Sequence, residues 1–271
     1  MKVRIISAAV LIPVLLILLM VAPTIVTAIV WGLLLALSTY ELLYTTGLVR
    51  ESRLVIFAAV MAFSVTLWSY FGAIHAYGLL GLMIFSGVLF CEMMLSHVKI
   101  TFDKICLCMM AGFVIPFLLS SLIRILVMNR VGRYMVLIPF IVAFSSDAGA
   151  YFAGRFFGQH KLAPVISQHK TIEGAVGGMI SAVVMLLIYC MVLQFGFGFQ
   201  VSYGFAIIYG LVGSAVGVFG DLCFSVVKRQ TGIKDYGNLI PGHGGVLDRF
   251  DSMMMVGPLM EALLTLIPLV V

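Results

Sequence analysis

Charge is what this chain has least of. Its 271 residues include 16 Lys and Arg and 11 Asp and Glu, together 10% of the sequence, whereas a soluble globular domain carries about 25%. That scarcity excludes a water-facing globular surface. The net charge is +5, yet no run of basic residues exceeds two, so the clustered basic patch of a nucleic-acid-binding protein is excluded as well. Cysteine is also sparse. Cys91, Cys106, Cys108, Cys190 and Cys223 all fall in apolar runs, and only Cys106 and Cys108 are close together. Neither a disulfide framework nor zinc-ligand spacing results, which leaves these cysteines as small apolar residues. No internal repeat, low-complexity tract or soluble segment interrupts the chain.

What is there is apolar: 63% of the residues are hydrophobic and the mean hydropathy is +1.20. A helix needs about 20 such residues to cross the hydrocarbon core, and nine stretches qualify: 5–22, 24–44, 54–72, 77–95, 105–127, 133–153, 174–194, 203–226 and 251–270. The expected fold is therefore all-α, a polytopic membrane protein of about nine transmembrane helices. The first stretch follows Met1-Lys2-Val3-Arg4. With no small-residue cleavage site after it and another apolar run beginning at once, it reads as a retained span.

Orientation follows from the connections. With the N-terminus inside, thirteen Lys and Arg fall on the cytoplasmic side: Lys2, Arg4, Arg50, Arg53, Lys99, Lys104, Arg155, Lys161, Lys170, Lys228, Arg229, Lys234 and Arg249. Arg124, Arg130 and Arg133 cluster around one external connection. Nine spans then put the C-terminus outside, and two polar blocks, 154–173 and 227–250, emerge into the cytoplasm.

The second block lies in the stretch that organises the rest. Residues 221–251 read DLCFSVVKRQTGIKDYGNLIPGHGGVLDRFD. Asp248 and Asp251 are three apart, and on a helix they would share a face, where two carboxylates can hold one divalent cation. Asp221 and Ser225, four apart, form the same kind of pair at the end of the preceding helix. Between them Lys228, Arg229 and Lys234 supply positive charge for phosphates, while Pro241, Gly242, Gly244 and Gly245 bend the backbone around His243. Carboxylates for a metal beside cations for phosphates point to phosphoryl or nucleotidyl chemistry. A merely solvated loop would explain the turn residues and the positive charge but not the bracketing aspartates. The chain accordingly divides into N-terminal membrane helices, 1–140, and a catalytic membrane region, 141–271.

Carboxylates inside apolar spans are costly and carry function by default. Asp147 and Asp221 each adjoin a polar block. For Glu41, between Tyr40 and Tyr44, and for Glu92, a structural hydrogen bond or an interfacial position weighs at least as much as catalysis. Gly210, Gly213, Gly217 and Gly220 make a smooth stripe for helix packing, and Gly174, Gly177 and Gly178 make another. Just before the latter, Lys170 and Thr171 mark a helix N-terminus that can aim backbone N–H groups at a phosphate. An ion-coupled transporter would also use intramembrane acids. Against that reading stand the concentration of charge near one face and the absence of repeat symmetry.

Ser225, Lys228, Arg229, Lys234, Asp235, Pro241, Gly242, His243, Gly244, Gly245, Asp248, Arg249 and Asp251 follow the order and spacing of a known signature. The chain resembles the phosphatidate cytidylyltransferase family, also called CDP-diacylglycerol synthases. Residues 146–178 resemble that family's second polar block, with Gln168 standing where the family usually has proline after Ser167. The resemblance is specific over the C-terminal half, and residues 1–140 match only as a generic membrane domain.

The resemblance implies transfer of a cytidylyl group from CTP to phosphatidic acid, giving CDP-diacylglycerol and pyrophosphate for phospholipid biosynthesis. It implies Mg²⁺, as one ion or two, with Asp221, Asp248 and Asp251 as ligands. Lys228 and His243 join these aspartates as catalytic candidates. Lys170, Ser225, Arg229, Lys234 and Asp147 are the candidates for binding substrate. The expected partners are CTP, phosphatidic acid, membrane lipids and a second copy in a homodimer. The expected place is the cell (inner) membrane, with the site facing the cytoplasm. A CTP transferase acting on another lipid phosphate is the nearest alternative.

Overall fold

The computed structural model describes the backbone of residues 2–96, 99–128, 131–239, 242 and 244–270. Helices dominate it. In order they are α1 (Lys2–Met20), α2 (Thr24–Tyr40), α3 (Ser52–Tyr70), α4 (Ile74–Leu95), α5 (Phe102–Met109), α6 (Ile115–Leu119), α7 (Ser121–Leu126), α8 (Gly132–Met135), α9 (Leu137–Phe157), α10 (Ile172–Phe197), α11 (Tyr203–Gln230), α12 (Leu247–Phe250) and α13 (Met253–Leu266). Two π-helical turns widen this framework: Glu41–Thr45 continues α2, and Met110–Val114 joins α5 to α6.

Among the described residues, seven helical segments are long and apolar enough to cross a membrane: Thr24–Thr45, Ser52–Tyr70, Ala76–Leu95, Phe102–Leu126, Gly132–Phe157, Ile172–Phe197 and Tyr203–Gln230. The first and last expected spans correspond to shorter apolar helices, Ala9–Met20 and Met253–Leu266. The chain is a membrane protein. Many of its large apolar side chains point outward, including Leu79 (73% exposed), Met83 and Phe195, an arrangement that lipid tolerates and water penalises.

Two details depart from an all-helical expectation. Lys161–Ala163 and Ser167–Thr171 form an antiparallel two-stranded hairpin, β1 and β2, with Lys161 opposite Thr171 and Ala163 opposite Ser167. The hairpin is too short for an alternating pattern to show in the sequence. Gln168 lies within β2 and is exposed. The α11 helix also runs on to Gln230, so Asp221 and Ser225 lie inside it rather than in its last turn.

The chain forms two compact units. The first comprises Met1–Arg133 and Gln230–Phe250, the second Tyr134–Arg229 and Asp251–Val271. The return of 230–250 to the first unit has no signature in composition. In that unit, Trp31 is 1% exposed, donates its indole N–H to the Leu119 carbonyl (3.2 Å) and meets Phe250 edge to face, with ring centroids 4.8 Å apart. Leu35, Leu43, Leu54 and Leu122 fill the same core.

The second unit is built on close helix contacts. A Cβ added to Gly178 would lie 2.8 Å from the Ser146 carbonyl on α9, and one added to Gly210 would lie 2.8 Å from the Val183 Cα on α10. Small residues thus let these backbones touch. The buried hydroxyls of Ser146 and Ser214 lie 2.6 Å apart between α9 and α11, and Tyr209 donates to the Ile267 carbonyl (3.1 Å).

Candidate active site

The polar site of the second unit is assembled from α9, β2, α10, α11 and the turn before α13. Thr171 N-caps α10: its Oγ1 accepts the Gly174 N–H at 3.1 Å, which satisfies one of the free amides of the first helical turn. That cap fixes the strand before it, and Lys170 reaches from the strand to α11. Its Nζ lies 2.5 Å from Asp221 Oδ2 and also donates to the Val218 carbonyl (3.5 Å). One turn along α11, Ser225 donates to Asp221 Oδ1 (3.3 Å), so both oxygens of this carboxylate are oriented.

A second lysine–aspartate pair lies beside the first. Lys228 Nζ is 3.6 Å from Asp251 Oδ2, and the side chains are only 13% and 14% exposed. Gly220 permits the approach: a Cβ there would stand 3.2 Å from the carbonyl oxygens of both Asp251 and Ser252. Burial first, and then the negative charge of Asp221, push the Asp251 carboxyl above its ordinary range, while Lys228 pulls it down. Asp147 adds negative charge in the same direction.

A cavity of about 250 Å³ opens next to the first pair. Its walls include Asp147, Tyr151, His169, Lys170, Thr171 and Asp221. Exposed Arg229 donates its Nε–H to the Ile166 carbonyl (3.3 Å), bracing the turn of the hairpin.

Other sequence-derived candidates belong to the first unit or fall outside the described residues. Asp248 belongs to the first unit, is 6% exposed, and through Oδ2 accepts the N–H groups of Tyr236 (2.8 Å) and Gly245 (2.9 Å). It sits in the four-residue α12, whereas Asp251 lies in the turn that follows. No continuous helix presents the two on one face. Lys234 is exposed in the same loop. His243 and Pro241 lie outside the described residues. For Glu41 the sequence weighs a structural hydrogen bond or an interfacial position against catalysis, and the structure shows it accepting two backbone N–H groups; the cavity wall of Tyr151 and His169 is not anticipated. Only the intramembrane position of Glu41 could have marked it.

The arrangement bears on the expected metal. Among the described residues, no group of three or more His, Cys, Asp and Glu side chains forms a ready metal cage. Asp221 and Asp251 instead offer hard carboxylate oxygens, each beside a lysine. This fits Mg²⁺, which keeps several waters and is bound by one or two carboxylates together with substrate phosphates.

Comparison with known proteins decides the family. The cytidylyltransferase family model matches residues 2–267, nearly the whole chain. The chain belongs to the cytidylyltransferase family. Its match to the phosphatidate cytidylyltransferase of Staphylococcus haemolyticus is 45% identical over 133 residues, 49% of this chain and 50% of that protein. The match to the Staphylococcus saprophyticus phosphatidate cytidylyltransferase is 43% identical over the same length and the same shares. With the Bacillus subtilis phosphatidate cytidylyltransferase, 37% identity extends over 166 residues, 61% of this chain and 60% of that protein. The chain thus spans about half the length of the curated relatives it matches. The lysine–aspartate pairs are the polar centre among the described residues of the second unit.

Proposed function

We propose that this cytidylyltransferase transfers the cytidylyl group of CTP to phosphatidic acid, releasing pyrophosphate and forming CDP-diacylglycerol. The observation that carries the reading is the pairing of Lys170 with Asp221 and of Lys228 with Asp251 inside one apolar unit. Such pairs serve a reaction that brings two anions together. In this reaction an oxygen of the lipid phosphate attacks the α-phosphorus of CTP, the bond to the β-phosphate oxygen breaks, and that oxygen leaves with pyrophosphate. The nucleophile is already an anion, so no base is required. The work lies in positioning and in stabilising charge.

Asp221 and Asp251 are the residues of this unit that would hold Mg²⁺. When bound there, the ion would supply charge neutralisation at the phosphates. Ser225 orients the Asp221 carboxylate, and Lys170 and Lys228 exchange their aspartate partners for phosphate oxygens when substrate enters. Asp147 and His169 line the cavity in which a phosphate is received. Asp248 retains, as a separate proposal resting on the family resemblance, the role of a metal ligand. The reading also places the chain in the cell membrane, with its N-terminus and polar loops in the cytoplasm and its C-terminus outside, and pairs it as a homodimer.

The test is purified protein in lipid nanodiscs with CTP, Mg²⁺ and a panel of lipid phosphates, following pyrophosphate release and the nucleotide-lipid product. Turnover with phosphatidic acid that vanishes in chelator and returns with Mg²⁺ is expected. Release of pyrophosphate with another lipid phosphate but not with phosphatidic acid would overturn the substrate assignment.

A further inference from the structure

Glu41 is 3% exposed, the most buried carboxylate among the described residues, and none of the chemistry above uses it. It opens the π-helical turn that ends α2, a local widening that often marks functional positions. Its two oxygens are both engaged, and by the opposite end of the chain. Oε1 accepts the Val246 N–H at 3.0 Å and Oε2 accepts the Leu247 N–H at 2.9 Å. One turn on, the Thr45 hydroxyl donates to the Tyr236 carbonyl at 2.5 Å.

The loop answers with its own clamp. Asp248 Oδ2 gathers the N–H groups of Tyr236 and Gly245, which ties those two backbone positions to one carboxylate. Glu41 and Thr45 then fasten Val246, Leu247 and Tyr236 to the helix. Two glycines make room for the carboxylate. A Cβ on Gly245 would lie 2.5 Å from Glu41 Oε2, and one on Gly237 would press on Oε1. A buried carboxylate holding two amides makes charge-assisted hydrogen bonds, stronger and more directional than neutral ones. Such a group sets geometry, and chemistry that depends on positioning is sensitive to shifts of about 1 Å.

We propose that Glu41 is a positioning residue for nucleotidyl transfer: it holds the backbone of Val246 and Leu247, and with it the Asp248 carboxylate, in the shape the reaction needs. The inference rests on the function proposed above. It concerns a residue outside the signature and acts through that loop.

The experiment compares wild-type protein with Glu41→Gln, Glu41→Ala and Gly237→Ala in nanodiscs. It measures kcat and KM for CTP and phosphatidic acid per folded molecule, together with hydrogen exchange across 236–248. Glu41→Gln keeps the shape but replaces one acceptor by an NH₂ group that opposes a backbone N–H. It should lower kcat by about 10- to 100-fold, leave the KM for phosphatidic acid within about twofold, and speed exchange at 244–248. Glu41→Ala should be more severe, and Gly237→Ala should reproduce the Gln phenotype from the loop side with Glu41 intact. If Glu41→Ala does not fold, the other two variants decide. An active wild type whose kcat per folded molecule is unchanged in Glu41→Gln and Gly237→Ala would overturn the inference. A wild type with no turnover of CTP and phosphatidic acid would instead overturn the proposed function, and the positioning role with it.

Discussion

Lys170 Nζ and Asp221 Oδ2 lie 2.5 Å apart, tying the strand that leads into α10 to the middle of α11. The pair joins two polar segments separated by about fifty residues of mostly apolar sequence. Its lysine is 24% exposed and its aspartate 28%, so both partners remain within reach of a ligand.

Removing either lysine should weaken turnover far more than folding. Lys170→Ala and Lys228→Ala are each expected to cost about 2 to 4 kcal/mol of transition-state stabilisation, read as the change in kcat/KM. Lys99→Ala, on an exposed turn, should be nearly silent. Normal kcat/KM in both of the first two variants would show that these ammonium groups do not meet the phosphates.

The aspartates should separate by role. Asp221→Asn and Asp251→Asn each remove a proposed hard-cation ligand while keeping the side-chain shape, so most turnover should be lost with little change in thermal stability. Added Mg²⁺ should rescue the milder of the two. Asp248→Asn alters a carboxylate that gathers two backbone amides, so its melting temperature should fall as well as its activity. Equal melting temperatures for all three variants would contradict the loop-closing role of Asp248.

The buried hydroxyl pair offers a test of packing without catalysis. Ser146→Ala or Ser214→Ala should each cost about 0.5 to 1.5 kcal/mol, because the remaining hydroxyl loses its partner between α9 and α11. The double substitution should cost less than the sum of the singles. Strict additivity in a double-mutant cycle would mean that the 2.6 Å contact contributes nothing.

Topology can be checked from the surface. Asn238 and Gln200 are both exposed and are assigned to opposite sides by the distribution of Lys and Arg. In a protein stripped of its five cysteines, a cysteine at Asn238 should react with an impermeant reagent only from the cytoplasm, and one at Gln200 only from outside. Labelling of both from one side would overturn the nine-span topology.

By itself the sequence determined the membrane character, the helical composition and the polar residues around which the family signature is written. Those features depend on local composition and spacing: apolar runs long enough for a bilayer, glycine stripes where helices touch, and the i, i+4 pair of Asp221 and Ser225. Only the tertiary structure decided which charge meets which. Lys170 finds Asp221 because the Thr171 cap and the hairpin turn β2 toward α11. Asp248 and Asp251 do not share a helix because α12 ends at Phe250, where the sequence spacing alone allowed a shared face. Glu41 takes its partners from 205 and 206 residues away. No period or motif encodes such a pairing, because it follows from burying a carboxylate against the backbone amides of a distant loop.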